Sequence, residues 1–139
     1  MKSTKEKLNH AFIEFYEKFS AWELDSVKNS GLSLTLVHAV EILGAFGAMP
    51  MKKLAEKVGV TTGTLTVQVD KLVDAGLVQR IPQQTDRRSI FVGLSEKGRA
   101  LFAEHDNLHL QLTTQLTASF SDKEISQLLS LFDRMNTKF

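Results

Sequence analysis

The 139-residue chain has no cysteine, two prolines, one tryptophan and one tyrosine. Without cysteine there can be no disulfide scaffold, thiolate zinc site, thiol nucleophile or cysteine-based redox switch. Apolar runs are only a few residues long, so no segment can cross a bilayer. The first residues, Met1-Lys2-Ser3-Thr4-Lys5-Glu6-Lys7, lead into polar amphipathic sequence and not into a secretory apolar block, which reads as a cytoplasmic protein. Internal repeats, low-complexity stretches and Pro/Gly/Ser-rich linkers are also missing. The length then fits one compact domain, or one domain with helical extensions. No Gly-rich phosphate loop, paired catalytic carboxylates or Ser-His-Asp order stands out, and this argues against an enzyme. Net charge is scarce as well: 17 basic residues against 16 acidic ones leave +1. That figure counts against a nucleic-acid partner until its distribution is examined.

The distribution is uneven. Residues 51–100 hold nine basic side chains against five acids, a net +4. The preceding fifty residues carry −1 and the following thirty-nine carry −2. A basic centre between mildly acidic flanks suits a module that presents its middle to nucleic acid. Four excess charges are also compatible with an ordinary solvated surface, so the motifs must decide.

Leu8, Phe12, Phe15, Tyr16, Phe19 and Trp22 recur at helical spacing and predict an amphipathic first helix ending near Asn29-Ser30-Gly31. Ser33 can cap a second helix with Val37, Val40 and Leu43 on one face. Pro50 suits the first turn of a short third helix through Val58. Gly59-Val60-Thr61 turns into a fourth helix, capped by Thr61 and running to about Ala75-Gly76. The period then changes. Residues 77–81 and 89–94 are β-favouring runs joined by a polar tip, predicting a hairpin that Pro82 closes on its first strand. Ser95 caps a long fifth helix striped by Leu101, Phe102, Leu108, Leu112 and Leu116, and Ser121-Asp122-Lys123-Glu124 opens a sixth.

Residues 54–65 carry the most specific pattern. A helix-turn-helix needs a small residue where its helices cross, and Ala55 supplies one; it needs a turn residue tolerant of positive φ, and Gly59 supplies that. Leu54, Val58, Val60, Leu65 and Val69 can pin both helices to one core, while Gln68 takes a partly exposed slot. With Leu65, Val69 and Leu72 facing inward at i, i+4 and i+7, the opposite face presents Thr62, Gly63, Thr66, Val67, Asp70 and Lys71. Short hydroxyls and a glycine at a helix N-terminus permit close approach to phosphates and base edges. Such a helix fits the major groove. At the hairpin tip, Arg87 and Arg88 can reach phosphates or a narrow minor groove, with Asp86 holding the tip in shape.

Residues 60–72, 76–80 and 86–98, with the wing signature D-x-R…L-[ST]-x-x-G, resemble the MarR family of bacterial transcriptional regulators. The resemblance runs over essentially the whole chain. It implies a mainly α fold with a β-hairpin wing, forming a single MarR-type domain over residues 1–139. Within it, residues 33–98 would be the winged helix-turn-helix core and residues 1–30 and 100–139 the dimerisation helices. It further implies a homodimeric repressor, without catalytic activity, that binds double-stranded pseudo-palindromic operator DNA and is often released by a small-molecule effector. The expected DNA-binding residues are Thr61, Thr62, Gly63, Thr64, Thr66, Val67, Lys71, Arg87 and Arg88, with Asp86 as wing-tip support. Val67 departs from the family, whose members often carry a basic or polar residue there. The lack of cysteine excludes the family's thiol-oxidation sensors.

A dimer is also expected from composition. Phe12, Phe15, Phe19, Phe120, Phe132 and Phe139 lie near the chain ends, outside the winged-helix core. Each is worth on the order of 2 kcal/mol when buried, and a symmetric partner can cover them. Packing of the two terminal helices within one chain is the alternative. No cofactor is expected beyond an effector, but the histidines leave zinc open. His105 and His109 share a helix face at i, i+4, and with His38 they resemble positions used by a zinc-responsive branch of the family. Glu23, Asp25, Glu41 and Glu104 are candidate acidic ligands. Similar histidines occur in a fatty-acid-synthesis-repressor branch not defined by zinc, which residues 37–44 resemble at least as closely. The favoured alternative to a metal site is that these histidines pack where effector pockets form between the dimer helices and the wing domain. A winged helix that binds protein instead of DNA is the remaining alternative, disfavoured by the basic centre and the arginine tip.

Overall fold

Five of the six α-helices among the described residues begin at a hydroxyl. Ser3 caps α1 (Thr4–Ser26), Ser33 caps α2 (Leu34–Phe46) and Thr61 caps α4 (Thr62–Asp74). Ser95 accepts a hydrogen bond from the Gly98 N–H at 3.0 Å at the start of α5 (Glu96–Leu116), and Ser121 caps α6 (Asp122–Asn136). Each hydroxyl accepts from an N–H that the helix itself leaves without a partner. Ser3 and Ser121 form full capping boxes with Glu6 and Glu124. The computed structural model describes residues 1–85 and 89–139.

The exception is α3 (Met51–Val58), which follows Pro50 without a side-chain cap. Here the structure corrects the sequence reading. Pro50 lies ahead of the helix in extended conformation, and Met49–Pro50 form a short strand, β1. This strand pairs antiparallel with β3 (Ile90–Leu94), Met49 opposite Val92 and Pro50 opposite Phe91. On its other side β3 pairs with β2 (Val78–Pro82), so the predicted hairpin is the larger part of a three-stranded sheet ordered β1-β3-β2. Proline is tolerated at such an edge, where its missing donor breaks no interior ladder.

Two compact units divide the chain at residue 105. In Met1–His105, one core joins α2, α3, α4 and the sheet: Leu54, Leu65, Val69, Leu72 and Val92 are fully buried, with Val40, Leu43 and Val78 nearly so. Gly59 has φ +83° and closes the turn between α3 and α4, a conformation that costs other residues energy. In contrast, α1 has no buried residue, although its Phe15 and Phe19 rings stack at 5.9 Å between centroids. In Asp106–Phe139, α6 has no buried residue either and exposes Ile125, Leu129, Leu131 and Phe132. No helix among the described residues is long and apolar enough to cross a membrane.

Candidate nucleic-acid interface

The inward stripe of α4, Leu65, Val69 and Leu72, is 0% exposed and seats the helix firmly on the core. Thr61, Thr62, Gly63, Thr64, Thr66, Val67, Asp70 and Lys71 are all exposed, so the face expected from spacing is the face observed. Gln68 is partly exposed, as its slot predicts.

Hydrogen bonding divides the threonines by role. Thr61 accepts from the Thr64 N–H at 3.2 Å and donates to the Thr64 hydroxyl at 3.0 Å, so it organises the first turn of α4. Thr66 donates to the Thr62 carbonyl at 2.9 Å, which leaves its oxygen lone pairs outward as an acceptor. At Gly63, an added Cβ would meet nothing nearer than the Thr61 hydroxyl at 4.0 Å. Packing within the protein therefore does not require glycine at this position. Val67 is 55% exposed, an apolar side chain standing on an otherwise polar face.

The bases of the +4 centre are not equivalent. Lys97 donates to the Ala75 carbonyl at the end of α4 (2.9 Å) and Arg99 to the Leu94 carbonyl at the end of β3 (3.1 Å), so both serve the ends of elements within the fold. Lys57 lies over the Phe46 ring, 4.1 Å from its centroid. Arg80, on β2, is ion-paired with Asp70 of α4. Sequence spacing placed Asp70 on the outer helix face but did not reveal this partner. Asp86, Arg87 and Arg88, the expected wing tip, lie outside the described residues.

His38 and His105 each lie beside a carboxylate. His38 Nε2 is 3.3 Å from Glu23 Oε2, half-buried between α1 and α2. His105 is buried, with Nε2 2.6 Å from Glu41 Oε1. His109 follows His105 by one turn of α5 and is half-buried. Of the four acids the sequence offers, the structure thus places Glu23 and Glu41 beside imidazoles.

A cleft of about 310 Å³ lies where the α1–α2 connection and the end of α4 meet the start of α5, lined by residues including Leu32, Leu77, Lys97 and Leu101. Its walls are largely apolar, and its one lysine is already engaged with Ala75.

Comparison with known proteins agrees with this geometry. Residues 32–90 match the model of the MarR family. The HTH-type transcriptional regulator BilQ of Clostridium symbiosum is 25% identical over 121 residues, covering 87% of this chain and 84% of that protein. MhqR of Bacillus subtilis, also an HTH-type transcriptional regulator, is 27% identical over 109 residues, covering 78% and 75%. FabT of Streptococcus pneumoniae, solved in complex with DNA, superposes with a TM-score of 0.82 at 19% identity, over 97% of this chain and 99% of that one. MarR family members are transcriptional regulators, not enzymes. The helix-turn-helix at residues 54–65, the hairpin that follows it and the family match over residues 32–90 make this part of the chain similar to the MarR family of winged helix-turn-helix transcriptional regulators.

Proposed function

We propose that the protein is a homodimeric repressor that inserts α4 into the major groove of a pseudo-palindromic operator, lays Arg87 and Arg88 of the wing along the neighbouring backbone and minor groove, and is released by a small-molecule effector. The division of α4 into two faces carries this reading. One face is locked into the core, while the other is bare from its N-terminal cap to Lys71 and rich in hydroxyls. Glycine costs helix stability relative to alanine, and the fold leaves space for a side chain at Gly63; a surface that must come close to the first turn accounts for the residue. FabT, a protein of this fold, was solved in complex with DNA, which supports DNA binding.

The homodimer rests on the terminal helices. Neither α1 nor α6 buries a residue within the chain, and Phe12, Phe15, Phe120 and Phe132 remain exposed. Apolar surface on this scale calls for a partner, and a second copy offers complementary helices by symmetry. Binding to a promoter duplex, titrated with salt, tests the reading. Arg88→Ala is expected to weaken operator binding by roughly 1–3 kcal/mol and to flatten its salt dependence. Unaltered binding at moderate salt would contradict the wing assignment, and no binding to any promoter fragment would favour a protein-interaction module.

A second reading makes zinc the effector. It is favoured by the buried His105 imidazole beside the Glu41 carboxylate, both donors that zinc accepts. His105→Ala should then abolish any zinc-dependent change in operator affinity; an unchanged response would rule zinc out through this residue.

A further inference from the structure

We infer that Asp70 is a specificity-determining positioning residue, which holds the Arg80 guanidinium against α4 and so withholds a sequence-independent phosphate contact. This rests on the DNA-binding reading above. Asp70 sits on the outer face of α4, between the exposed Val67 and Lys71 side of the helix and the first strand of the wing. Arg80 extends from β2, and one of its terminal nitrogens donates to Asp70 Oδ1. The pair therefore bridges the helix and the wing, the two elements proposed to touch DNA.

Stability does not explain its presence. The side chains are 35% and 57% exposed, and ion pairs of that kind contribute little to folding. Near a duplex its effect is larger. An unpaired carboxylate on the outer face of α4 would repel phosphates, and an unpaired arginine beside it would attract them whatever the sequence. Pairing cancels both and fixes the guanidinium in one place. A helix already seated in the groove loses nothing by this restraint. A loosely held, non-specific complex loses a mobile cation that could follow any phosphate. The lock thus lowers background attraction more than it lowers operator binding, which is discrimination.

Affinity for a random-sequence duplex and for operator DNA, each measured by fluorescence anisotropy between 50 and 200 mM salt, tests the inference. Asp70→Asn should bind random DNA more tightly at low salt. Its log–log salt slope should steepen by about 0.9 per protomer, an additional loss of roughly threefold across that salt range, and its operator-to-random ratio should fall. Arg80→Gln should bind both duplexes more weakly, because it strands the carboxylate. The double variant Asp70→Asn/Arg80→Gln should return to the wild-type slope, since it restores local neutrality; a role in helix packing alone would not give that reversal. Melting temperatures should change little in all three, as expected for an exposed pair. If Asp70→Asn leaves the slope on random DNA unchanged, or if the double variant fails to restore it, the role of Asp70 is overturned. If the wild-type chain itself shows no salt-dependent binding to any duplex, it is the DNA-binding reading that fails.

Discussion

Gly98 of α5 faces the backbone carbonyl of Leu77, so closely that a Cβ at position 98 would lie 2.0 Å from that oxygen. This contact gives a physical reason for the glycine that ends the wing signature. It lets the start of α5 dock against the start of β2, where the Ser95 N–H also donates to the Leu77 carbonyl at 3.0 Å and the Ser95 hydroxyl to the Gly76 carbonyl at 2.5 Å. Because the obstructing atom belongs to the backbone, no rotamer change relieves the clash.

Gly98→Ala is therefore expected to destabilise the fold by about 1–3 kcal/mol, even though alanine is the better helix former by about 1 kcal/mol. Thermal denaturation checks this, with a fall in Tm of roughly 3–10 °C expected. An unchanged or higher Tm would show that α5 docks on the sheet with slack.

Thr61→Ala removes the acceptor for the Thr64 N–H and should cost about 1 kcal/mol. Its larger effect is expected on DNA affinity, because the first turn of α4 carries most of the proposed contacts. Thr61→Ser keeps the cap and should retain both stability and binding. Equal loss in the serine and alanine variants would mean that the threonine methyl, not the cap, matters.

Phe15→Glu places a charge in the exposed aromatic surface of α1, where Phe15 is 49% exposed. It is expected to yield a soluble monomer near 15.5 kDa by analytical ultracentrifugation, against a wild-type species of twice that mass. A wild-type monomer at micromolar concentration would remove the homodimer from the proposed function.

How much could be read in advance depended on the separation of the interacting groups. Helix starts at Ser33, Thr61, Ser95 and Ser121 are visible because a cap and the N–H it serves are three residues apart. The outer face of α4 is visible because helical spacing alone assigns Leu65, Val69 and Leu72 to the core. Pro50 stands one residue ahead of α3 and not inside its first turn. Proline favours a helix start, but only the edge offered by β3 draws residues 49 and 50 into a strand.

The six α-helices, the hairpin, the helix-turn-helix and its exposed face are legible along the chain, since these follow from local caps, turn residues and the 3.6-residue period. Which distant groups meet is set by the docking of elements: Gly98 with Leu77, Asp70 with Arg80, Glu41 with His105 and Glu23 with His38. Those pairings depend on how whole elements dock, and a charge or a glycine carries no signal of its partner along the chain. The same distinction applies to the basic residues of the centre. Local composition places nine bases in the centre, but docking commits Lys97 and Arg99 to carbonyl groups and Arg80 to a carboxylate.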